Sequence, residues 1–431
     1  MRFWRCSVAC SAALILPLCV FSVPATAQSE RLQWQGYLNL AAQAAEAAQP
    51  ALRGGDGRLQ TGRSGAGIGT GTALDAEARL GLRWSLNEAW SLFAHGLART
   101  GASAAAGRAL GLVEAGIDFT RTDPELDHRW RLRAGQFFYP GSREHIEALW
   151  STPFSSEFSV LNSWIAEEFR PIGVDLGRRW TLNSATDHTV ELAATVFCCN
   201  DTAGALLAWR GFARHRRLSV LGEDLPTAPL ASLAPDGQAF VQQRRFATEP
   251  FGTDLDSRAG YAARVRWERS DLGVQLSWID NGGDRRLYGD QYAWDTRWLQ
   301  MGVRYEGIER LTLIGELQHG QTDMGLAPDA RVALRFDVAY LLAAWSWTAQ
   351  WQSAVRIDWF RIDEQDFSIA ENNAEHGRGL SLNLAWQARE QQRWMLEYSV
   401  LKSDRPGARD EGQRARRLEQ SLLLEWRWYW R

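Results

Sequence analysis

Arg416-Arg-Leu-Glu-Gln-Ser-Leu-Leu-Leu-Glu-Trp-Arg-Trp-Tyr-Trp-Arg431 is the stretch whose reading decides the fold. Leu418, Leu422, Leu424, Trp426, Trp428 and Trp430 share one parity; Glu419, Ser421, Glu425, Arg427 and Tyr429 share the other. Successive side chains of a strand point to opposite faces, so this strand is apolar on one face and charged on the other. Its aromatic residues gather at the end, where a membrane-spanning strand meets lipid headgroups. The stretch therefore predicts the closing strand of a transmembrane antiparallel β-barrel of the all-β class.

The same alternation recurs along the chain. Leu80, Leu82 and Trp84 oppose Arg79, Gly81 and Arg83, and Tyr261, Ala263, Val265 and Trp267 oppose Arg264, Arg266 and Glu268. Val332, Leu334, Phe336, Val338 and Tyr340 oppose Arg335 and Asp337. A soluble sandwich alternates too, but the 22 tryptophans and the aromatic strand ends favour a lipid-facing wall. Short and long connections also alternate. Eight turns and nine longer connections, counted on the sequence, predict eighteen strands. Sixteen is the alternative if the run Leu218 to Gly222, after a turn near 214–217, is not a strand. Either count leaves a lumen too wide for side chains alone to fill, so water should enter.

The first residues read as an export signal. Arg2 and Arg5 precede a short apolar core, Ala12 to Val23, and Ala25-Thr-Ala27 is a small-x-small cleavage site. The expected organisation is a signal over 1–27 and a barrel over 28–431, reached by Sec-type export through the periplasm to the bacterial outer membrane. Leu18 stands where a lipoprotein signal before Cys19 needs a small residue. Cys198 and Cys199 would be the cysteines of the mature chain, either two small apolar residues or a vicinal disulfide. The net charge of −3 gives no hint of nucleic-acid binding. No later stretch of eighteen apolar residues predicts a transmembrane helix. Gly65-Ala-Gly-Ile-Gly-Thr-Gly71 lacks the Gly-Lys-Ser/Thr ending of a phosphate loop and reads as a flexible connection.

Arg129-Trp-Arg-Leu-Arg-Ala-Gly-Gln-Phe-Phe-Tyr139 is a strand with Arg129, Arg131 and Arg133 on its lumen parity. Pro140 breaks it, and a connection over 140–170 follows. That connection carries Ile146, Leu149, Trp150, Phe154, Phe158, Trp164 and Ile165, too apolar a set to hang in water. Folding it inward would bury these side chains and set the bore. Leu132-Arg-Ala-Gly-Gln-Phe137, Pro140, Ser142, Glu144, Arg170-Pro171 and Gly173-Val174 resemble the phosphate-selective porin family over about fifty residues. The resemblance implies a sixteen-stranded homotrimer with an inward third loop. The family's phosphate preference is not carried over, because the lysine-rich approaches are missing.

The expected constriction is formed by Arg143, Glu144, Glu147, Glu157, Glu167, Glu168 and Arg170, two arginines against five glutamates. An acidic ring would attract cations at short range. Expected lumen charges include Arg79, Arg83, Arg131, Arg133, Arg179, Arg264, Arg266, Asp175, Glu268 and Asp337. Ser142, His145 and Glu144 or Glu147 form a thin hydrolase set, and His145 with Glu147 supplies too few ligands for a metal. The sequence thus predicts a passive outer-membrane channel for small polar or charged solutes, with outer-membrane lipids as partners and no cofactor or chemistry of its own. The alternative is a barrel enzyme, or a structural or adhesin-like barrel, acting through its outer loops.

Overall fold

The computed structural model describes residues 31–430, apart from 66, 102–106, 124–126, 229, 234–239, 241–246, 251, 327–329, 367–371 and 411. The export signal expected over 1–27 lies outside the described residues. Sixteen antiparallel strands form one closed barrel. In chain order they are β1 (Leu32–Ala47), β2 (Gly69–Ser85), β3 (Trp90–Arg99), β4 (Leu110–Asp123), β5 (His128–Gln136), β6 (Ile172–Asn183), β7 (His188–Cys198) and β8 (Gly260–Arg269). The second half comprises β9 (Leu272–Asp280), β10 (Asp295–Ile308), β11 (Leu311–Met324), β12 (Val332–Ser346), β13 (Trp351–Glu364), β14 (Glu375–Arg389), β15 (Gln392–Asp404) and β16 (Arg416–Trp430). β16 closes the cylinder on β1, with Tyr37 opposite Tyr429 and Leu40 opposite Trp426. Every neighbour in the barrel is a neighbour in sequence apart from this seam, so simple hairpins build the wall.

Connections at one rim are two to four residues long, while the opposite rim carries the long ones. The favoured count of eighteen is corrected to sixteen. Residues 205–222, expected to supply the two extra strands, instead form a short helix and an irregular buried segment. Every residue from 205 to 220 is buried there, whereas a wall strand must turn alternate side chains out to lipid.

The wall is inside out relative to a soluble protein. On β16, Glu419 and Glu425 are fully buried, while Leu418 is 55 % and Leu424 45 % exposed. Glutamate buries only with partners, and an exposed leucine band needs an apolar solvent. At the short-turn rim the outer face ends in an aromatic girdle: Trp351 stacks on Trp386 at 5.7 Å, and Trp428 lies 5.6 Å from Trp430.

β12 departs from the expected parity. Val332, Leu334, Phe336, Val338 and Leu342 are buried on its inner face, and Leu341 is exposed on the outer one. Asp337, expected in the lumen, stands on the outer wall with His319 Nδ1 2.6 Å away, and exposed Arg335 shares its parity. The apolar parity turned inward because an apolar helix, described next, occupies the lumen opposite β12.

Candidate functional site

The connection after β5 packs against the inner faces of β10 and β12. Ser159 caps its helix α1 (Val160–Glu168), its hydroxyl accepting from Asn162 N at 3.1 Å. All nine helical residues are buried. Trp164 packs edge-on against Phe336 of β12 and Trp298 of β10, at 5.3 and 5.2 Å between ring centres. At the tip, Leu149 and Trp150 both adopt left-handed backbone (φ 59° and 54°), an uncommon pair for non-glycine residues. The Trp150 ring is sandwiched between His145 at 3.4 Å and Phe138 at 4.2 Å.

A second segment enters the lumen after β7. Cys198 and Cys199 form the vicinal disulfide that the sequence left open. Asn200 then ties the two loops together: its side-chain nitrogen donates to Glu168 O at 2.9 Å and its side-chain oxygen accepts from Arg170 N at 3.1 Å. Gly204 precedes the short helix α2 (Ala205–Trp209) at φ 106°, and a Cβ there would lie 2.1 Å from Thr322 Oγ1. The Glu168 carboxyl accepts from Leu206 N (2.9 Å), Leu207 N (3.2 Å) and Trp164 Nε1 (2.6 Å). Burial pushes its pKa up to about 7.

From α2 a basic strap, Arg210-Gly-Phe-Ala-Arg-His-Arg-Arg217, crosses the lumen with every residue buried. Arg210 binds Glu167 at 3.1 Å. Burial opposes ionisation of Glu167, but Arg210 and His215 hold its carboxyl well below the usual range. Arg214 lies 3.4 Å from Glu157, and Arg216 reaches Glu425 at 3.1 Å and Asp75 at 3.4 Å. Arg217 and Arg99 share Glu223. The first long connection joins this packing: Arg58 pairs with Glu375 at 2.8 Å, and Leu59 bridges to Arg214. Each of these buried guanidinium groups thus meets a carboxylate of the wall or a loop, which is what makes its burial tolerable.

The expected constriction residues therefore separate. Glu144 is buried; burial raises its pKa despite Arg356, whose Nη1 lies 3.1 Å from it. Glu157 and Glu167 are buried in the pairs just given, and Glu168 is buried under the first amides of α2 and the Trp164 indole. Arg170 is also buried and donates to Val113 O and Ala166 O at 3.3 and 3.2 Å. Arg143 pairs with Glu268 at 2.7 Å, and Glu147 with Arg393 at 2.9 Å. These last two loop charges line a cavity.

That cavity, about 510 Å³, lies on the short-turn side of the inward loop. Arg131, Arg133, Arg143, Arg266 and Arg304 line it against Glu114, Glu147 and Glu268. Arg131 pairs with Asp175 at 2.7 Å and Arg133 with Asp118 at 2.7 Å. Arg83 also reaches Asp118, at 2.9 Å, and Arg264 lies 3.0 Å from Glu191. Arg79 is buried against Glu77 at 2.7 Å, and Arg179 donates to Thr189 Oγ1 at 3.3 Å. Ser142 Oγ sits 2.9 Å from His145 Nδ1, but His145 Nε2 has no hydrogen-bond partner among the described residues. The orienting carboxylate of a Ser-His-acid set is thus not in place. The strap was missed on the sequence. Its signal was four arginines within eight residues of a supposed turn.

No protein-family model and no curated protein matches the sequence. The fold is similar to several solved barrels. The outer membrane channel DcaP of Acinetobacter baumannii superposes with a TM-score of 0.53 at 9 % identity, over 93 % of this chain and 97 % of that one. An anion-selective porin from Comamonas acidovorans gives 0.51 at 10 % identity, over 93 % and 99 %. Salmonella typhi OmpF, in complex with daunomycin, gives 0.50 at 9 % identity, over 92 % and 97 %. At such identities the likeness is one of fold.

Proposed function

We propose that this chain is an outer-membrane porin, exported by the signal over 1–27, that passes small polar or charged solutes by passive diffusion. The observation carrying this reading is the inside-out wall: a closed sixteen-strand cylinder with exposed leucine and tryptophan outside and buried, paired charges within. Such a cylinder separates oil from a polar interior, and no step of diffusion needs a cofactor. Inward folding of two loops restricts the route, so solutes are small. The solved barrels similar in fold include an outer membrane channel and an anion-selective porin, which supports the reading. The resemblance of residues 132–174 to phosphate-selective porins supports a homotrimer, which native mass spectrometry in detergent would weigh directly.

The lining of the 510 Å³ vestibule carries five arginines against three glutamates, and of the acids of the inward loop Glu147 alone lines it, while Glu144, Glu157, Glu167 and Glu168 are buried elsewhere. The channel therefore prefers anions mildly. The deciding experiment reconstitutes the full mature chain in planar bilayers. Stepwise, salt-dependent conductance with a reversal potential of anion sign is expected across a tenfold KCl gradient. Folded protein that inserts but conducts nothing at any salt concentration would refute the channel; a reversal potential of cation sign would refute the preference alone.

A further inference from the structure

The outer wall is apolar from the aromatic girdle upward until it reaches the long-loop rim. There the strand register sets Trp359 of β13, Arg378 of β14, Lys402 of β15 and Leu418 of β16 in one lateral row. All four side chains are exposed on the outer face. One row nearer the loops stand His376, Asp404 and Arg416. These rows enclose a surface pocket of about 480 Å³.

Two features of this pocket call for a ligand. Arg416 is neutralised by Asp404 at 2.7 Å, but among the described residues neither Arg378 nor Lys402 has an ion-pair partner. Yet Arg378 and Lys402 are directly opposed across β14 and β15. Like charges facing each other on adjacent strands destabilise a sheet unless an anion lies between them. Lys402 is also the only lysine of the chain, placed where a compact and mobile cation is useful.

The depth identifies the anion. Trp386, in the girdle, follows Arg378 on β14 by eight residues, roughly 26 Å of strand. Leu380, Leu382 and Leu384 fill the outer face between them, as Leu396, Tyr398 and Val400 do on β15. Strands tilted by about 40° turn that length into roughly 20 Å along the membrane normal, within about 5 Å of the far edge of an apolar band about 25 Å tall, a gap that the long Arg378 and Lys402 side chains bridge by reaching up to the headgroups of the opposite leaflet. A dissolved anion would have to approach along lipid, whereas a headgroup is already there.

We propose that this pocket binds the phosphate of an anionic lipid in the leaflet at the long-loop rim. Arg378 offers a planar pair of donors to two phosphate oxygens, Lys402 adds a point charge, and Trp359 packs beside the headgroup and first methylenes. The proposal rests on the membrane-spanning reading above but not on conduction.

Native mass spectrometry of the full mature protein in detergent tests it, with diphosphoryl lipid A, the same lipid without its phosphates, and inorganic phosphate as probes. Retention of one diphosphoryl lipid more per chain than of the dephosphorylated form is expected. The Arg378→Gln/Lys402→Gln double variant should bind it about tenfold more weakly, and Lys402→Arg should retain it. Heat-modifiable gel mobility verifies that the exposed double variant folds; a charge reversal, Arg378→Glu, serves if it does not. Equal binding of both lipids, or undiminished binding to the double variant, would overturn the proposal. Displacement of the lipid by millimolar inorganic phosphate would reassign the pocket to free phosphate and overturn it as well. Conductance recorded on the same preparations reports separately on the channel.

Discussion

Glu168 shows how one side chain couples the two inward loops. It ends α1, and its carboxyl caps the first amides of α2. Its pKa of about 7 in the folded chain lies above the roughly 4.3 of an unfolded one. An acid with a raised folded pKa binds more protons folded than unfolded, so its junction weakens as pH rises from about 4.3 through 7. Below that window both states are protonated and the penalty vanishes. Amide exchange at Leu206 and Leu207 should therefore accelerate between pH 5 and 8 beyond its intrinsic base catalysis, and Glu168→Gln should abolish the excess. An excess that persists in the variant would assign the opening to another group. In the vestibule, Arg304 is more than a third exposed, so its charge is well screened. Arg304→Gln should shift the permeability ratio towards cations by only about twofold.

At the scale of elements, the strap and α1 decide what the lumen can pass. Replacing Arg210 to Arg217 by glycine and serine of equal length removes four guanidinium groups, among them an arginine partner each of Glu157, Glu425 and Asp75. Single-channel conductance should rise at least about threefold and selectivity should turn towards cations, read as a reversal potential of opposite sign. Unchanged conductance would mean that solutes do not pass along the strap. Trp164 anchors α1 to the inner faces of β10 and β12. Trp164→Ala should cost about 3–5 kcal/mol of loop docking, the scale for emptying a large aromatic site, while leaving the barrel closed. Limited proteolysis would detect it as new cleavage in 140–170 with unaltered heat-modifiable mobility.

For the molecule as a whole, the test is which solvent each face tolerates. Ile357 is 55 % exposed on the outer wall and would be an innocuous surface position in a soluble protein. Here Ile357→Arg should destabilise the barrel by about 2–4 kcal/mol in phospholipid vesicles, the cost of an arginine near the bilayer midplane. A loss below about half a kcal/mol would place that face in water. The parity of β2, β8, β14 and β16 and the cylinder they imply were legible in the sequence, because alternation is local: each strand carries its own two faces. The strand count, the strap, the outward turn of Asp337 and the burial of Glu144, Glu157, Glu167 and Glu168 were not legible. Each depends on partners far along the chain, as when Arg356 meets Glu144 across 212 residues or Arg216 meets Glu425 across 209. Alternation alone establishes that odd and even side chains see different solvents. Which apolar face meets lipid and which meets a loop is set by long-range packing, because burial against protein and burial in a bilayer reward the same side chains.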